Sequence, residues 1–336
     1  YIQMKNLNKS LWLSVIAKTS LYFFYFSSLL VALCTIMPWS TLWSLVEIPL
    51  LFAPRWWLFL LLLPVVIIDR SLIIKQWKWV LATIFIVFFY FNFQVPIGNL
   101  WVNSTGQSLS IMSVNLGGGI ENPALMKEQI VNEQLVLIAF QETSKIEVKK
   151  VVPQGWDLHC IGQTCLASAY KLEYVNGQSR QMLGGWGQLG LLYQLQINER
   201  QIYVMNLHLE TPRKGYEDFQ LSKLNFDAIF KNTEQRYIES SIISSWIENK
   251  TPLIILGDFN MPVESSIYRE NFGQYQNAFN EAGFGFGFTK HIRMLSVRID
   301  HILTDDSFSI LEAKIGNDVG SDHSPILATI VLNEAL

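Results

Sequence analysis

Hydrophobic and charged positions are distributed unevenly along the 336 residues of the chain. No charged residue lies between Lys18 and Glu47, and none lies between Lys78 and Glu121. From Glu121 onward, charged residues recur at ordinary density among short apolar runs. The pattern predicts two parts, a membrane-embedded region over residues 1–100 and a globular domain over residues 101–336.

Three apolar segments in the first part are candidate transmembrane helices, each of which needs about 20 apolar residues. They cover residues 19–39, 48–68 and 79–98. The middle segment contains three prolines and Arg55, so an interfacial or re-entrant stretch is the alternative interpretation. Trp56 and Trp57 predict an aromatic belt at one interface, with the Arg55 side chain reaching outward.

The positions of the positive charges favour three spans over two. Basic residues precede the first segment (Lys5, Lys9, Lys18) and the third (Arg70, Lys75, Lys78). Three spans place both groups in the cytoplasm, as the positive-inside rule prefers. The N-terminus is then cytoplasmic, and the globular domain is periplasmic or extracellular. A cleaved signal peptide is the alternative for the first segment, but that segment has no small-residue cleavage site.

The globular part alternates short apolar runs with polar loops, which predicts two packed β-sheets covered by helices. Eight runs are strand candidates: "LSIMSVNLGG", "LVLIAFQET", "TCLASAY", "GLLYQLQI", "QIYVMNLHLE", "PLIILGDFN", "VRIDHILT" and "SPILATIVL". Apolar residues between Gly215 and Asn249 recur at helical spacing, so one or two amphipathic helices are expected there. Cys160 and Cys165 are close in sequence and form either a disulfide, in an oxidising compartment, or two free thiols.

Several of the predicted strands end in acids, amides or histidines. One such residue usually caps a turn, but here the pattern recurs at six strand ends. The recurring residues are Asn115, Gln141, Glu142, Asn206, His208, Asp258, Asn260, Asp300, His301, Asp322 and His323. Their oxygen atoms suit Mg²⁺ or Mn²⁺ rather than zinc. A hard cation, a carboxylate that activates water and hydrogen-bond donors together predict hydrolytic phosphoryl transfer.

Six motifs occur in the order "SVN", "FQET", "NLHLE", "GDFN", "RIDHI" and "SDHSP". From about Ser110 to Leu332 the chain therefore resembles the endonuclease/exonuclease/phosphatase superfamily. The resemblance implies a four-layer α/β sandwich, in which two packed mixed sheets are flanked by helices. His208 matches the branch with deoxyribonucleases and neutral sphingomyelinases rather than the abasic-site endonucleases. Because every core catalytic position holds the expected residue type, an inactive relative is disfavoured.

The resemblance also implies roles for individual residues. Glu142 is expected to be the main ligand of Mg²⁺ or Mn²⁺, with Asn115 and Asp322 near the metal. Asp258 is expected to orient or deprotonate the attacking water, and Asn260 to stabilise the transition state.

Further residues are expected to contact the phosphate of the substrate. His323, oriented by Asp300, would contact the scissile phosphate, and His208 would be the second histidine. Asn206 and Arg213 are additional candidate phosphate contacts, although the loop around Arg213 is equally typical of a solvated surface.

The class of phosphodiester stays open at this point. From Trp101 onward the chain has 18 Lys and Arg against 26 Asp and Glu, which is unfavourable for a nucleic-acid backbone. Proximity to a lipid bilayer favours a lipid headgroup, and extracytoplasmic nucleic acid is the alternative. A different class of function is a non-catalytic accessory subunit, joined to a membrane protein partner through the apolar segments and using the fold as a binding module.

Overall fold

The computed structural model of the chain describes residues 2–97, 106–217, 226–292 and 295–333. Helices make up the chain as far as Tyr90, and strands dominate from Ser108 onward. The predicted boundary at residue 100 falls within 98–105, outside the described residues. The division into 1–100 and 101–336 therefore stays a prediction.

The helices alternate with the strands after the helical N-terminal region. The described helices are α1 (Ile2–Cys34), α2 (Thr41–Phe52), α3 (Trp57–Leu60), α4 (Leu63–Asp69), α5 (Ser71–Lys75), α6 (Trp77–Tyr90), α7 (Pro123–Asn132), α8 (Lys145–Val148), α9 (Arg213–Glu217), α10 (Asp227–Ile247), α11 (Ser266–Phe272) and α12 (Ala278–Ala282). The described strands are β1 (Ser108–Asn115), β2 (Leu135–Gln141), β3 (Asp157–Ile161), β4 (Thr164–Ser168), β5 (Leu172–Ser179), β6 (Gln188–Ile197), β7 (Arg200–His208), β8 (Leu253–Asp258), β9 (Gln276–Asn277), β10 (Lys290–Ile292), β11 (Leu295–Val297), β12 (Asp300–Thr304), β13 (Phe308–Ile315) and β14 (Ile326–Leu332).

The strands form two six-stranded mixed sheets and a small hairpin. The first sheet has the order β13-β14-β1-β2-β4-β3, and the second has the order β5-β6-β7-β8-β12-β9. Each sheet contains one parallel pair, β1–β2 and β7–β8, with antiparallel neighbours on both sides. Strands β10 and β11 pair with each other as the hairpin, and Lys290 of β10 also forms an isolated bridge with His323.

Three apolar clusters hold the globular part together in layers. One cluster fills the space between the sheets, and it includes Leu137 and Leu256. A second packs Met126 of α7 on the outer face of the first sheet, and a third packs Ile243 of α10 on the second. The central strands β2 and β8 are buried on both faces, which explains their unbroken apolar sequences. The expected α/β sandwich is confirmed.

All eight strand candidates contain strands of the structure, and six further strands were not expected from sequence. The additional strands are β3, β5, β9, β10, β11 and β13. All six lie at sheet edges or in the hairpin, where burial is less complete than in the central strands, as in the largely exposed β5. Cys160 in β3 pairs with Cys165 in β4, and the two form a disulfide.

The expectation of about three transmembrane helices is wrong. Among the described residues, only Leu11–Cys34 is by itself long and apolar enough to span a bilayer, by length and composition alone. The number rises to two only if Thr41–Phe52 and Trp57–Asp69, which are bent by 83°, count as one broken span. Helix α6 has 14 residues and is therefore about 21 Å long, shorter than a hydrocarbon core of about 30 Å.

Prolines explain where the predicted segments fail. The first helix ends at Cys34 instead of reaching residue 39, and Pro38 follows it. The second segment breaks around Pro54, because proline lacks an N–H group and clashes with the preceding helical turn.

The Arg55 side chain also departs from its predicted position, since it is buried and does not reach outward. Its guanidinium Nη1 lies 2.8 Å from Oε1 of Glu264 in the globular domain and donates to the backbone oxygen of Tyr90 at 2.8 Å. Burial of an arginine requires such a partner. Trp56 is exposed while Trp57 is partly buried, so the two do not form a common belt.

Further contacts dock the helical region onto the globular domain around α11. The Glu47 carboxylate accepts hydrogen bonds from the backbone N–H of Ser266 (2.7 Å) and from its hydroxyl (3.0 Å). Arg269 donates to the backbone oxygen of Met37 at 2.6 Å. The Trp39 ring stacks on Tyr237, with 3.8 Å between ring centroids. The two parts therefore share a specific polar interface.

Candidate active site

The register of the two parallel strand pairs brings the strand-end residues together. Asn115, the last residue of β1, lies opposite Gln141 at the end of β2. His208 at the end of β7 lies opposite Asp258 at the end of β8, and Asp300 at the start of antiparallel β12 also pairs with Asp258. Since parallel strands end at the same edge of a sheet, both sheets deliver polar side chains to one edge of the sandwich.

Two residues at this edge have a left-handed backbone conformation. Glu142 and Asn260, which follow β2 and β8, have φ angles of 50° and 51°. Such left-handed conformations are unfavourable for residues other than glycine and cluster at functional sites. Gly257 permits the close approach of β7, because a Cβ atom there would lie 2.0 Å from the backbone oxygen of Leu207.

A first cluster joins the two sheets around Asp258. Nε2 of His208 lies 3.4 Å from Oε1 of Glu142 and 3.8 Å from Oδ2 of Asp258. The Asn115 side-chain amide donates to Glu142 at 3.0 Å and to Asp258 at 2.9 Å. The possible ligand atoms of Glu142, His208 and Asp258 all lie within 4.8 Å of one another, so the three residues are close enough to bind one ion.

A second cluster shares Asp258 with the first. Nδ1 of His323 lies 2.8 Å from Oδ2 of Asp300, and its Nε2 lies 3.9 Å from Oδ2 of Asp258. All three side chains are buried. The Asp300 carboxylate orients the His323 ring, so the opposite ring nitrogen faces Asp258.

Burial and neighbouring charges shift the pKa values of this cluster in different directions. Burial, together with the nearby Asp300 carboxylate, raises the pKa of Asp258 above its ordinary value. Burial also acts to raise the pKa of Asp300, but the adjacent His323 outweighs it and the net pKa is lowered. Burial disfavours a charged His323, yet the Asp300 carboxylate raises its pKa to about 9. The cluster thus holds a protonated His323 beside a carboxyl group with raised proton affinity.

Asn260 and Asp322 occupy different surroundings. The Asn260 backbone N–H donates to Oδ1 of Asp258 at 2.8 Å, and its side-chain amide donates to the Leu209 oxygen at 2.9 Å. Asp322 is half exposed at the rim, where its carboxylate pairs with Lys290. Asp322 belongs to neither three-residue cluster found among the described residues.

The two additional phosphate candidates are not brought into the clusters. Asn206 is fully buried between the sheets, where it accepts from Gln141 and donates to the Cys165 oxygen, both at 2.8 Å. It does not line the cavity. Arg213 does line the cavity, at its exposed rim, and its Nε lies 3.1 Å from a carboxylate oxygen of Glu217.

A cavity of about 1110 Å³ opens at this edge of the sandwich. Glu142, His208, Asp258, Asn260 and His323 line one part of it. A ligand at these residues would therefore be accessible from solvent.

The residues of the two clusters fit a hard divalent cation. Glu142 and Asp258 supply carboxylate oxygens, the ligand type that Mg²⁺ and Mn²⁺ prefer, and the Asn115 side-chain NH2 group donates to both carboxylates. The proximity of Asp258 and Asp300, which pair directly across β8 and β12, places like charges together in a buried setting. A bound cation would relieve that repulsion.

The site lies within a stretch that matches a known family. The model of the Endonuclease/Exonuclease/phosphatase family matches residues 112–323, which contain both clusters. The chain belongs to this family. Comparison with curated proteins gives no match.

Solved structures of the endonuclease/exonuclease/phosphatase family share the fold. A family protein from Bacteroides thetaiotaomicron is 14% identical, with a TM-score of 0.50, and the match covers 68% of this chain and 100% of that chain. One from Bacteroides vulgatus is 16% identical, with a TM-score of 0.50 and coverage of 68% and 100%. D. rerio TDP2 complexed with a single-strand DNA product is 14% identical, with a TM-score of 0.47 and coverage of 67% and 99%. At this identity the two Bacteroides structures establish the fold alone.

Buried residues outside the sequence motifs also support the site, through contacts to the backbone next to the site residues. Arg180 is buried, its Nε lies 2.9 Å from Oε1 of Glu239, and it donates to the backbone oxygen of His208 at 2.5 Å. Glu239 also accepts from the backbone N–H of Glu210 at 2.8 Å. From the same helix, Arg236 donates to the backbone oxygen of Asn260 at 3.3 Å. These contacts fix the segments that follow β7 and β8.

The buried face of α10 shows this support in the structure, although apolar spacing alone does not predict it. Arg236, Glu239, Ser240 and Ile243 recur at spacings of three and four residues, and all are buried. Charged residues in the buried stripe of a helix are rare unless they are paired. The buried face of α10 therefore packs against polar partners as well as apolar ones.

Proposed function

We propose that this chain is a divalent-metal-dependent phosphodiesterase whose catalytic domain is tethered to a membrane by its N-terminal helix. The observation that carries the proposal is the pair of clusters that share Asp258 at the floor of an open cavity. Acidic groups, a raised carboxyl pKa and a protonated histidine together suit hydrolysis of a phosphoester.

Each residue of the clusters has a role in the proposed reaction. Glu142 would be the main ligand of Mg²⁺ or Mn²⁺, with Asn115 and Asp322 near by, and the ion when bound would neutralise charge on the phosphate. Asp258 takes a proton from water as the water oxygen bonds to phosphorus and the ester P–O bond breaks. The leaving alkoxide is protonated by solvent.

The remaining cluster residues bind the phosphate group during this reaction. His323, held by Asp300, donates to a phosphate oxygen, and His208 approaches from the other side. The Asn260 amide stabilises the charge that develops in the transition state.

The proposal places the catalytic domain outside the cytoplasm. One helix, Leu11–Cys34, meets the length and composition of a span, and Lys5, Lys9 and Lys18 lie in or before its start. The Cys160–Cys165 disulfide supports an oxidising compartment. The substrate would be a phosphodiester of a lipid headgroup or of nucleic acid.

Hydrolysis of an aryl phosphodiester tests the activity. The purified full chain in detergent is expected to release the aryl alcohol with Mg²⁺ or Mn²⁺ and to lose activity with a chelator. Asp258→Ala and His323→Ala should abolish turnover, whereas Glu281→Gln, at an exposed carboxylate of α12, should not. Absence of activity with every divalent cation would favour a binding module over an enzyme.

A further inference from the structure

The helical region forms part of the wall of the active-site cavity. Ile48 and Phe52, both on α2, line the same cavity as Asp258 and His323. Ile292, Leu295 and Val297 of the β10–β11 hairpin line it as well. The cavity is thus lined both by the acidic groups of the site and by apolar side chains from two separate elements.

The position of α2 is linked to the catalytic loop by buried polar contacts. Glu47, next to Ile48, accepts two hydrogen bonds from Ser266, and Arg55 pairs with Glu264. Both partners lie on the segment that follows Asn260, so the apolar wall is held to the same loop that presents the catalytic groups. A flexible tether would not need such contacts.

The helices that follow α2 expose apolar side chains. After the 83° bend, the chain continues from α2 into α3 and α4. Leu60, Leu63 and Ile67 on these helices are 47%, 50% and 79% exposed. Exposed apolar side chains of this kind suit contact with a bilayer.

The cations around the cavity offer little to a polyanionic backbone. Four Lys and Arg residues in the described part of the chain line the cavity, and each is already paired with a carboxylate. The pairs are Arg180 with Glu239, Arg213 with Glu217, Lys214 with Glu210 and Lys290 with Asp322. Nucleic-acid binding depends on Lys and Arg that neutralise successive phosphates. A substrate with one phosphodiester and a long apolar group fits the cavity better.

We propose that Ile48 and Phe52 contact the acyl chain of a lipid phosphodiester whose phosphate lies at Asp258 and His323, which makes α2 a specificity-determining element of the active site. This inference rests on the proposed phosphodiesterase function. Phe52 and Ile48 do not touch the reacting atoms; they select the substrate that reaches them.

The test compares acyl-chain dependence in the full-length protein, with Mg²⁺ or Mn²⁺, on an aryl phosphodiester and on mixed micelles of short-chain or long-chain phosphatidylcholine. Wild-type kcat/KM is expected to rise with acyl-chain length. Phe52→Ala should lower kcat/KM for the long-chain lipid by roughly tenfold, as expected for removal of apolar contacts from a pocket, and should lower it much less for the aryl diester. Phe52→Leu should recover most of the loss.

Leu42→Ala is the matched control, because Leu42 is an apolar residue of the same helix that is 72% exposed and does not line the cavity. It should change neither substrate's kcat/KM by more than about twofold. Thermal unfolding of each variant shows whether it is folded. In Phe52→Leu an apolar side chain still lines the cavity, so the same kinetic comparison separates loss of apolar contact from loss of the fold.

The outcomes separate this inference from the proposed function. A wild-type protein without activity on the aryl diester overturns both. Activity on the aryl diester with no dependence on acyl-chain length overturns the inference alone, as does an equal loss on both substrates in Phe52→Ala. Faster hydrolysis of a single-stranded oligonucleotide than of any lipid would also overturn it, in favour of a nuclease.

Discussion

Two regions of this protein in which charged side chains are buried arrange those charges differently. Where the helical region docks, Arg55 lies 2.8 Å from Glu264, a pair of opposite charge. At the edge of the sandwich, Asp258 and Asp300 are neighbours of like charge, and burial together with this neighbour raises the pKa of Asp258. At the docking interface each buried charge is compensated by an opposite charge, whereas at the edge of the sandwich two like charges lie side by side.

This difference in charge arrangement distinguishes residues that stabilise the docked helical region from residues proposed to take part in catalysis. Removing one partner of a buried ion pair leaves an uncompensated buried charge, which is strongly destabilising. Such a pair therefore favours the one docking arrangement in which both partners meet. Neighbouring carboxylates destabilise a fold and persist where a cation or a proton transfer uses them. Substitutions in the two regions should therefore separate stability from activity.

Asp258→Asn should have the largest effect, and it should act on activity alone. Loss of the group that accepts the proton of water is expected to lower kcat on an aryl phosphodiester by about a thousandfold, or about 4 kcal/mol in activation free energy. The midpoint of thermal unfolding should stay the same or rise, because one of two like charges is removed. Retention of more than about a tenth of wild-type kcat would contradict the assigned role.

Glu264→Gln should show the opposite behaviour. Arg55 would keep its buried charge without a partner, so the free energy of unfolding should fall by about 3 kcal/mol. Denaturant titration of the full chain in detergent measures this loss, and kcat per folded molecule on the aryl diester should change little. In the double variant Glu264→Gln with Arg55→Met, adding Arg55→Met should lower the free energy of unfolding much less than Arg55→Met does in the wild-type protein. Independent, additive losses would show that the two residues do not interact.

Asp300→Asn should combine both behaviours, because His323 and Asp300 form an opposite-charge pair inside the site. We expect losses of about 2 kcal/mol in unfolding free energy and about thirtyfold in kcat. The pKa of His323 is about 9 in the folded protein and about 6.5 in an unfolded chain. The pair thus contributes fully below about pH 6.5, and the contribution is lost as pH rises through about 9.

Unfolding of Asp300→Asn and wild type across this pH range, with a chelator present, measures that dependence. The stability difference between them should shrink at high pH. Asp306→Asn, at an exposed acid after β12, is the control. A difference that does not vary with pH would exclude the charged pair as its cause.

Lys290→Met should have the smallest effect. The Lys290 ammonium group pairs with Asp322 at the cavity rim, where it can also attract a phosphate. Its removal is expected to raise KM for the aryl diester about fivefold, or about 1 kcal/mol, with kcat little changed. Steady-state kinetics beside Lys231→Met, at an exposed lysine of α10, measure the effect. A fall in kcat without a change in KM would instead place Lys290 in the chemical step.

The sequence predicted the globular part better than the helical part for a physical reason. Buried strands such as β8 are apolar along their whole length, so local pattern identifies them. An arginine in an apolar segment has two outcomes, an outward position at an interface or a buried partner, and local pattern does not distinguish them. The partner of Arg55 lies 209 residues away in sequence.

The amphipathic pattern of α10 shows the same limit within the globular domain. Apolar spacing between Gly215 and Asn249 predicted one or two amphipathic helices, yet the apolar Ile238 of α10 is 37% exposed. Arg236 and Glu239 are buried instead. Their partners, the Asn260 backbone and Arg180, lie in other parts of the fold, and only those partners make burial of the charges favourable.

The sequence by itself determined the sandwich, its central strands and the motifs that end them, because apolar runs and strand-end residues are local properties of the chain. The tertiary structure decided which of those residues meet. Strand register brought Asp258 beside His208, Asp300 and His323, while Asn206 faced inward and Asp322 turned to Lys290. Long-range packing also set Ile48 and Phe52 at the cavity, since the energy of burying a charge or an apolar face depends on what lies opposite.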